Sequence, residues 1–116
     1  MAYELSNTLR SGSILRVVDA GTVTIQTSNL AYNANETVSS FNIRRIFWST
    51  NGSIQIARGG VNVLALHNAG EIKLDEWGHT VANNSTANIS VTITTGGSCV
   101  LELSKDATYA TPLTGI

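Results

Sequence analysis

Residues 41–59 read FNIRRIFWSTNGSIQIARG, and the fold turns on how that stretch is parsed. Asn51-Gly52 at its centre is the dipeptide best suited to a two-residue hairpin, because glycine takes positive φ freely and asparagine tolerates it. The expectation is two strands joined at 51–52, with Ile54 and Ile56 sharing a face of the second. The first strand contains a conflict. Phe41, Ile43 and Phe47 keep one alternation phase, while Ile46 and Trp48 keep the other. A regular strand buried on one face cannot satisfy both, since a one-residue slip sends every side chain to the opposite face. The sequence therefore predicts either a bulge near Arg44-Arg45 or burial on both faces.

The flanking sequence is also extended in character. Ser13–Val18 is a short strand and Asp19-Ala20-Gly21 a turn. Thr22–Thr27 alternates, with Val23 and Ile25 inward. Residues 28–36 read as an Asn-rich loop anchored by Leu30 and Tyr32. Beyond the central stretch, Gly59-Gly60 turns the chain into a strand over 61–66. His67-Asn68-Ala69-Gly70 reads as a further turn, followed by a short edge strand over 71–74. Residues 75–86, DEWGHTVANNST, are irregular and read as a surface loop with Trp77 as a plug. Residues 87–95 alternate cleanly, with Ile89, Val91 and Ile93 inward. After a turn at Gly96-Gly97, Cys99, Leu101 and Leu103 point inward from 98–104. About eight short strands, punctuated by turn signals, predict an all-β, single-domain antiparallel β-sandwich of jelly-roll type. The organisation expected is an N-terminal arm (1–12), a β-domain (13–104) and a C-terminal tail (105–116), the arms ordering against neighbours.

Composition narrows the function classes. The 116 residues carry only 13% charged side chains, against roughly 25% in an average soluble domain. Ser, Thr, Asn and Gly fill the exterior instead. The formal net charge is -1, which provides no global field for nucleic acid or an anionic membrane. No apolar run approaches the ~18 residues of a membrane span. The N-terminus lacks the basic and apolar regions of a secretory signal, so synthesis is expected to finish in a cytosol. The several Asn-x-Ser/Thr triplets then reflect composition.

Candidate chemistry is sparse. Cys99 is the one cysteine, in phase with Leu101 and Leu103, and is expected to be a small buried hydrophobe. His67 and His79 fall in separate segments and, with Asp75 or Glu76, match no metal-ligand spacing. Glu71, Asp75 and Glu76 are neighbours, not facing carboxylates. No G-x-S-x-G elbow occurs and no Walker-type lysine follows the glycine pairs. The reading is accordingly no enzyme, no cofactor and no metal. The polar signal that remains is Arg44, Arg45 and Arg58 beside Trp48. Arginine and tryptophan are enriched at protein–protein contacts, the first for its planar fork, the second for its large apolar area with one polar handle.

Two segments carry a resemblance: Arg44-Arg45-Ile46-Phe47-Trp48-Ser49-Thr50 and Gly52-Ser53-Ile54-Gln55-Ile56-Ala57-Arg58-Gly59. With the opening Met1–Arg10 and the closing Leu101–Tyr109, they resemble small virion structural proteins of tailed bacteriophages, of marine podovirus type. Such proteins are often capsid decoration or cement proteins. The resemblance implies a non-enzymatic β-fold that docks on the major capsid protein at the virion surface, as a homo-oligomer, with a trimer the expected state. Partner-binding residues expected on that reading are Arg10, Arg44, Arg45, Arg58, Trp48 and Trp77. The alternative is a carbohydrate- or receptor-binding module of a tail or fibre, using Trp77 and His79 in the 75–86 loop.

Overall fold

A computed structural model describes residues 2–8, 12–73 and 87–109 of the chain. All regular structure in them is β apart from one 3₁₀ turn, Thr27–Leu30. The strands are β1 (Ala2–Asn7), β2 (Ser13–Val18), β3 (Gly21–Ile25), β4 (Glu36–Arg58), β5 (Val61–Lys73), β6 (Ile89–Thr94) and β7 (Gly97–Tyr109). Every pairing is antiparallel. They form one continuous sheet in the order β1-β2-β7-β4-β6-β3, with β5 on the other side of β4. The all-β antiparallel reading holds, in the form of a single seven-stranded sheet that curls upon itself.

The central stretch departs from the hairpin expectation. Residues 36–58 are one strand of 23 residues, and the chain passes through Asn51-Gly52 without reversing. The reversal occurs at Gly59-Gly60, whose φ values of 62° and 83° suit a two-residue turn with Arg58 paired to Val61. The reason Asn51-Gly52 does not turn is visible in its neighbours. A Cβ on Gly52 would lie 2.2 Å from the Thr94 carbonyl oxygen, so glycine is needed there for backbone approach. Its N–H donates to Thr50 Oγ1 at 3.1 Å, and Thr50 Oγ1 donates to the Gly96 carbonyl at 2.6 Å.

That point is one of four lying on a line across the sheet. Pairing on β4 jumps from Ser49–Ala69 to Ser53–His67, with Asn68 at φ 62° in the gap. The 67–70 segment is thus a kink inside β5, not a turn between strands. On the other side of β4, β7 ends its pairing at Thr50–Gly97 and β6 takes over at Ser53–Thr94, with Thr95 at φ 79° between them. One strand further, β2 gives way to β3 through Asp19 at φ 71°, whose N–H donates to the Gly97 carbonyl. Four neighbouring chain paths break at the same level, so the sheet bends along one transverse crease. Kinks and bulges of this kind bend a strand and sharpen its local twist.

The bend brings the ends of β4 together. Arg58 Nη2 donates to the Phe41 carbonyl at 2.7 Å, although the two are 17 residues apart along the same strand. Seventeen extended residues would span roughly 56–61 Å. The enclosed core draws on both halves: Leu15, Val17, Phe41, Ile43, Ile46, Cys99 and Leu101 from one, Val23, Ile25, Ile54, Ile56, Ile89, Val91 and Ile93 from the other. Leu30, fully buried on the 3₁₀ turn, packs into this core.

Three further expectations need correction. Ala2–Asn7 is no free arm: it pairs with β2 from Ala2–Val18 to Asn7–Ser13. Residues 105–109, assigned to the tail, extend β7 and pair with 36–41. Tyr32, expected as a core anchor, is 53% exposed.

Candidate interaction surface

The phase conflict in 41–48 is resolved by a bulge. Ile43 pairs with Leu103 and Arg45 with Glu102, leaving Arg44 as the inserted residue. Phe41, Ile43 and Ile46 are consequently all buried, although 43 and 46 are three positions apart and would face opposite sides of a regular strand. The bulge also decides where the arginines go. In a regular strand one of two adjacent arginines would face the core. Here Arg44 is exposed and Arg45 lies partly exposed on the outer side.

Rows of outward residues run across the half of the sheet made by β1, β2, β7, the first part of β4 and the last part of β5. One row is Glu4, Arg16, Val100, Phe47, Glu71, and the next is Ser6, Ile14, Glu102, Arg45, Lys73. Arg45 bridges two carboxylates, Glu71 at 3.1 Å and Glu102 at 3.5 Å, and its guanidinium stands 5.1 Å from the centre of the Phe47 ring. These side chains are about a third exposed, so the pairs fix geometry more than they add stability; such pairs are worth about 0–1 kcal/mol each. Ile14, Val18 and Phe47 are apolar and exposed on the same face. A shallow groove of about 250 Å³ runs beside Ser6, Ile14, Arg44, Glu102 and Leu103. The surface is a mosaic of exposed apolar side chains and paired charges.

The outer side of the other half differs. Thr22 and Thr92 share a hydrogen bond of 3.0 Å, as do Thr24 and Ser90. Cross-strand hydroxyl pairs of this kind cover the sheet with uncharged polar groups that bond one another.

The remaining expected site residues fall differently. Arg58 belongs to the interior and not to a contact surface: it is 7% exposed, its guanidinium lies 4.3 Å from the Phe41 ring centre, and burial lowers its pKa from the ordinary arginine value. Trp48 lies half-buried against the core, across Gly70, and its indole N–H donates to the His67 carbonyl at 3.0 Å. A Cβ at position 70 would stand 2.9 Å from the indole, so the bare glycine is what lets the ring lie flat. Arg10 and Trp77 lie outside the described residues, as do Asp75, Glu76 and His79. Cys99 is buried as expected, and the apolar surroundings push its thiol up to about 12. No group of three or more His, Cys, Asp or Glu side chains gathers among the described residues.

Sequence reading missed one buried pair. Lys105 Nζ donates to Glu36 Oε1 at 2.6 Å and to the Leu30 carbonyl at 2.8 Å, with both side chains fully buried. Glu36 Oε1 also accepts the Tyr32 N–H at 2.8 Å. The signal was present: Lys105 continues the inward phase of Leu101 and Leu103, and Glu36 that of Val38. The pair fastens the 28–36 loop to β7.

Comparison with protein-family models, with curated proteins and with solved structures finds no significant match.

Proposed function

We propose that this chain is a non-enzymatic structural protein of a tailed-bacteriophage virion, which binds the assembled capsid and stabilises it as a decoration or cement protein. The observation that carries the reading is the outward display of Arg44 and Arg45 beside Phe47 and Ile14. The bulge turns both arginines to one face, in the segment that resembles phage virion proteins. An arginine–aromatic–aliphatic face of this kind suits a lattice partner offering carboxylates or carbonyls beside apolar residues. The partner in this reading is the major capsid protein, and the location is the capsid surface after synthesis in the host cytoplasm. Because only the assembled shell presents the repeated site, binding favours the shell over its dissociated subunits by mass action.

Co-sedimentation with purified capsids tests the reading. The protein is expected to pellet with capsids to a saturating stoichiometry, and Arg44→Glu to weaken binding roughly tenfold or more, as reversal of a central interface arginine does. Protein that stays in the supernatant at saturating concentration overturns the reading.

A further inference from the structure

We propose that β1 is a self-association edge, through which two copies pair antiparallel with Leu5 on the two-fold axis. This stands independently of capsid binding, and it replaces the expected trimer by a closed two-fold pair. β1 is hydrogen-bonded to β2 along its whole length and to no other strand among the described residues. Its outer edge is therefore a row of backbone donors and acceptors. Natural edges are protected by charged side chains, above all lysine, by proline, by a bulge or by extreme shortness. Ala2–Asn7, AYELSN, has six residues in unbroken register with β2, no proline and no lysine, and Glu4 as its one charge.

The sequence of β1 selects the register. Two sheets that continue each other must set inner residues against inner ones and outer against outer, so paired residue numbers add to an even total. A total of eight places Glu4 opposite Glu4 of the second copy, and like charges directly opposed are unfavourable. A total of ten places Leu5 opposite Leu5, Glu4 opposite Ser6 and Tyr3 opposite Asn7. Within one chain the Ser6 hydroxyl already donates to Glu4, at 3.5 Å. Leu5 packs against the core but is only half-buried, and its counterpart would cover the rest.

The tyrosines provide a second, independent fit. Tyr3 is 59% exposed at one end of β1, and Tyr32 is 53% exposed near the other. Asn7 Nδ2 donates to the Asn29 carbonyl at 2.8 Å and to the Ala31 carbonyl at 3.3 Å, which places the Ala31-Tyr32 corner beside Asn7. With Tyr3 of one copy opposite Asn7 of the other, each exposed Tyr3 arrives at the other copy's exposed Tyr32. One symmetry operation thus covers four tyrosines, an isologous contact in which each patch meets its own copy.

Cysteine cross-linking tests the register. In an antiparallel pair the Cα atoms of directly opposed residues stand about 4.5–5.5 Å apart, within disulfide range. Leu5→Cys is expected to yield a covalent dimer in high proportion on mild oxidation, while Glu4→Cys, offset by two residues to roughly 8 Å, is expected to yield little. Buried Cys99 stays out of the reaction. Light scattering on the unmodified chain is expected to show a dimer, and Leu5→Lys to weaken it roughly tenfold or more by opposing two charges on the axis. A monomer at high micromolar concentration overturns the proposal. So does a Glu4→Cys cross-link stronger than that of Leu5→Cys.

Discussion

Lys105 continues the inward alternation of Cys99, Leu101 and Leu103, and a lysine in that phase needs a partner because an unpaired buried charge is very costly. Glu36 and the Leu30 carbonyl supply it. Lys105→Met leaves the Glu36 carboxylate buried without its counter-charge and is expected to cost about 3–5 kcal/mol. The double variant Lys105→Met/Glu36→Leu removes both charges and is expected to cost much less. Denaturant titration of the four members of this cycle reads the coupling directly, and equal losses in the single and double variants would contradict a paired interior. Cys99 makes a pH prediction. Its folded thiol titrates near 12, above the ordinary value of 9.0. Below pH 9 the thiol is protonated in both states; between 9 and 12 the unfolded chain loses that proton first. Stability therefore falls with rising pH in that window, by up to roughly 1.4 kcal/mol for each pH unit. Cys99→Val is expected to flatten that alkaline slope, measured as the denaturation midpoint against pH.

At the scale of the element, β4 organises the molecule because it is bulged at Ser39 and at Arg44 and bent between Ser49 and Ser53. Gly52 shows what the bend requires: its backbone lies against the Thr94 carbonyl with no room for a Cβ. Gly52→Ala is expected to destabilise by about 1–3 kcal/mol, as overpacked substitutions do, with an unchanged denaturant slope. Had 51–52 been the tip of an exposed hairpin, the substitution would meet only solvent. Much of the strand pattern was legible from alternation alone. Val23 and Ile25, Ile54 and Ile56, Ile89 to Ile93, and Cys99 to Leu103 all face inward as their phase requires. The bulge at Arg44 was legible too, because two phases in one strand leave few alternatives. The fate of Asn51-Gly52 was not, since a dipeptide that permits a hairpin also permits close passage of another strand, and only the neighbour at Thr94 decides. The same holds for His67–Gly70, where turn-forming residues serve a kink. Arg58 was misplaced for a related reason: nothing local shows that β4 folds back to set the guanidinium over Phe41.

At the scale of the whole molecule, the crease divides labour between two outer faces. The hydroxyl pairs of the β3–β6 half are satisfied among themselves. The other half carries Arg44, Arg45, Ile14 and Phe47 outward, and it ends in the open edge of β1. The proposed partner contacts thereby fall on one half of the sheet. In the proposed reading the same half joins copies through the edge of β1 and meets the lattice through its outer face, two different surfaces of the sheet. The most direct test is an electron cryomicroscopy reconstruction of capsids saturated with the protein. Added density is expected on the shell, with the Arg44–Phe47 face against the major capsid protein and the Thr22–Thr92 face towards solvent. Bare shells, or density with the Arg44–Phe47 face turned to solvent, would contradict the proposed reading.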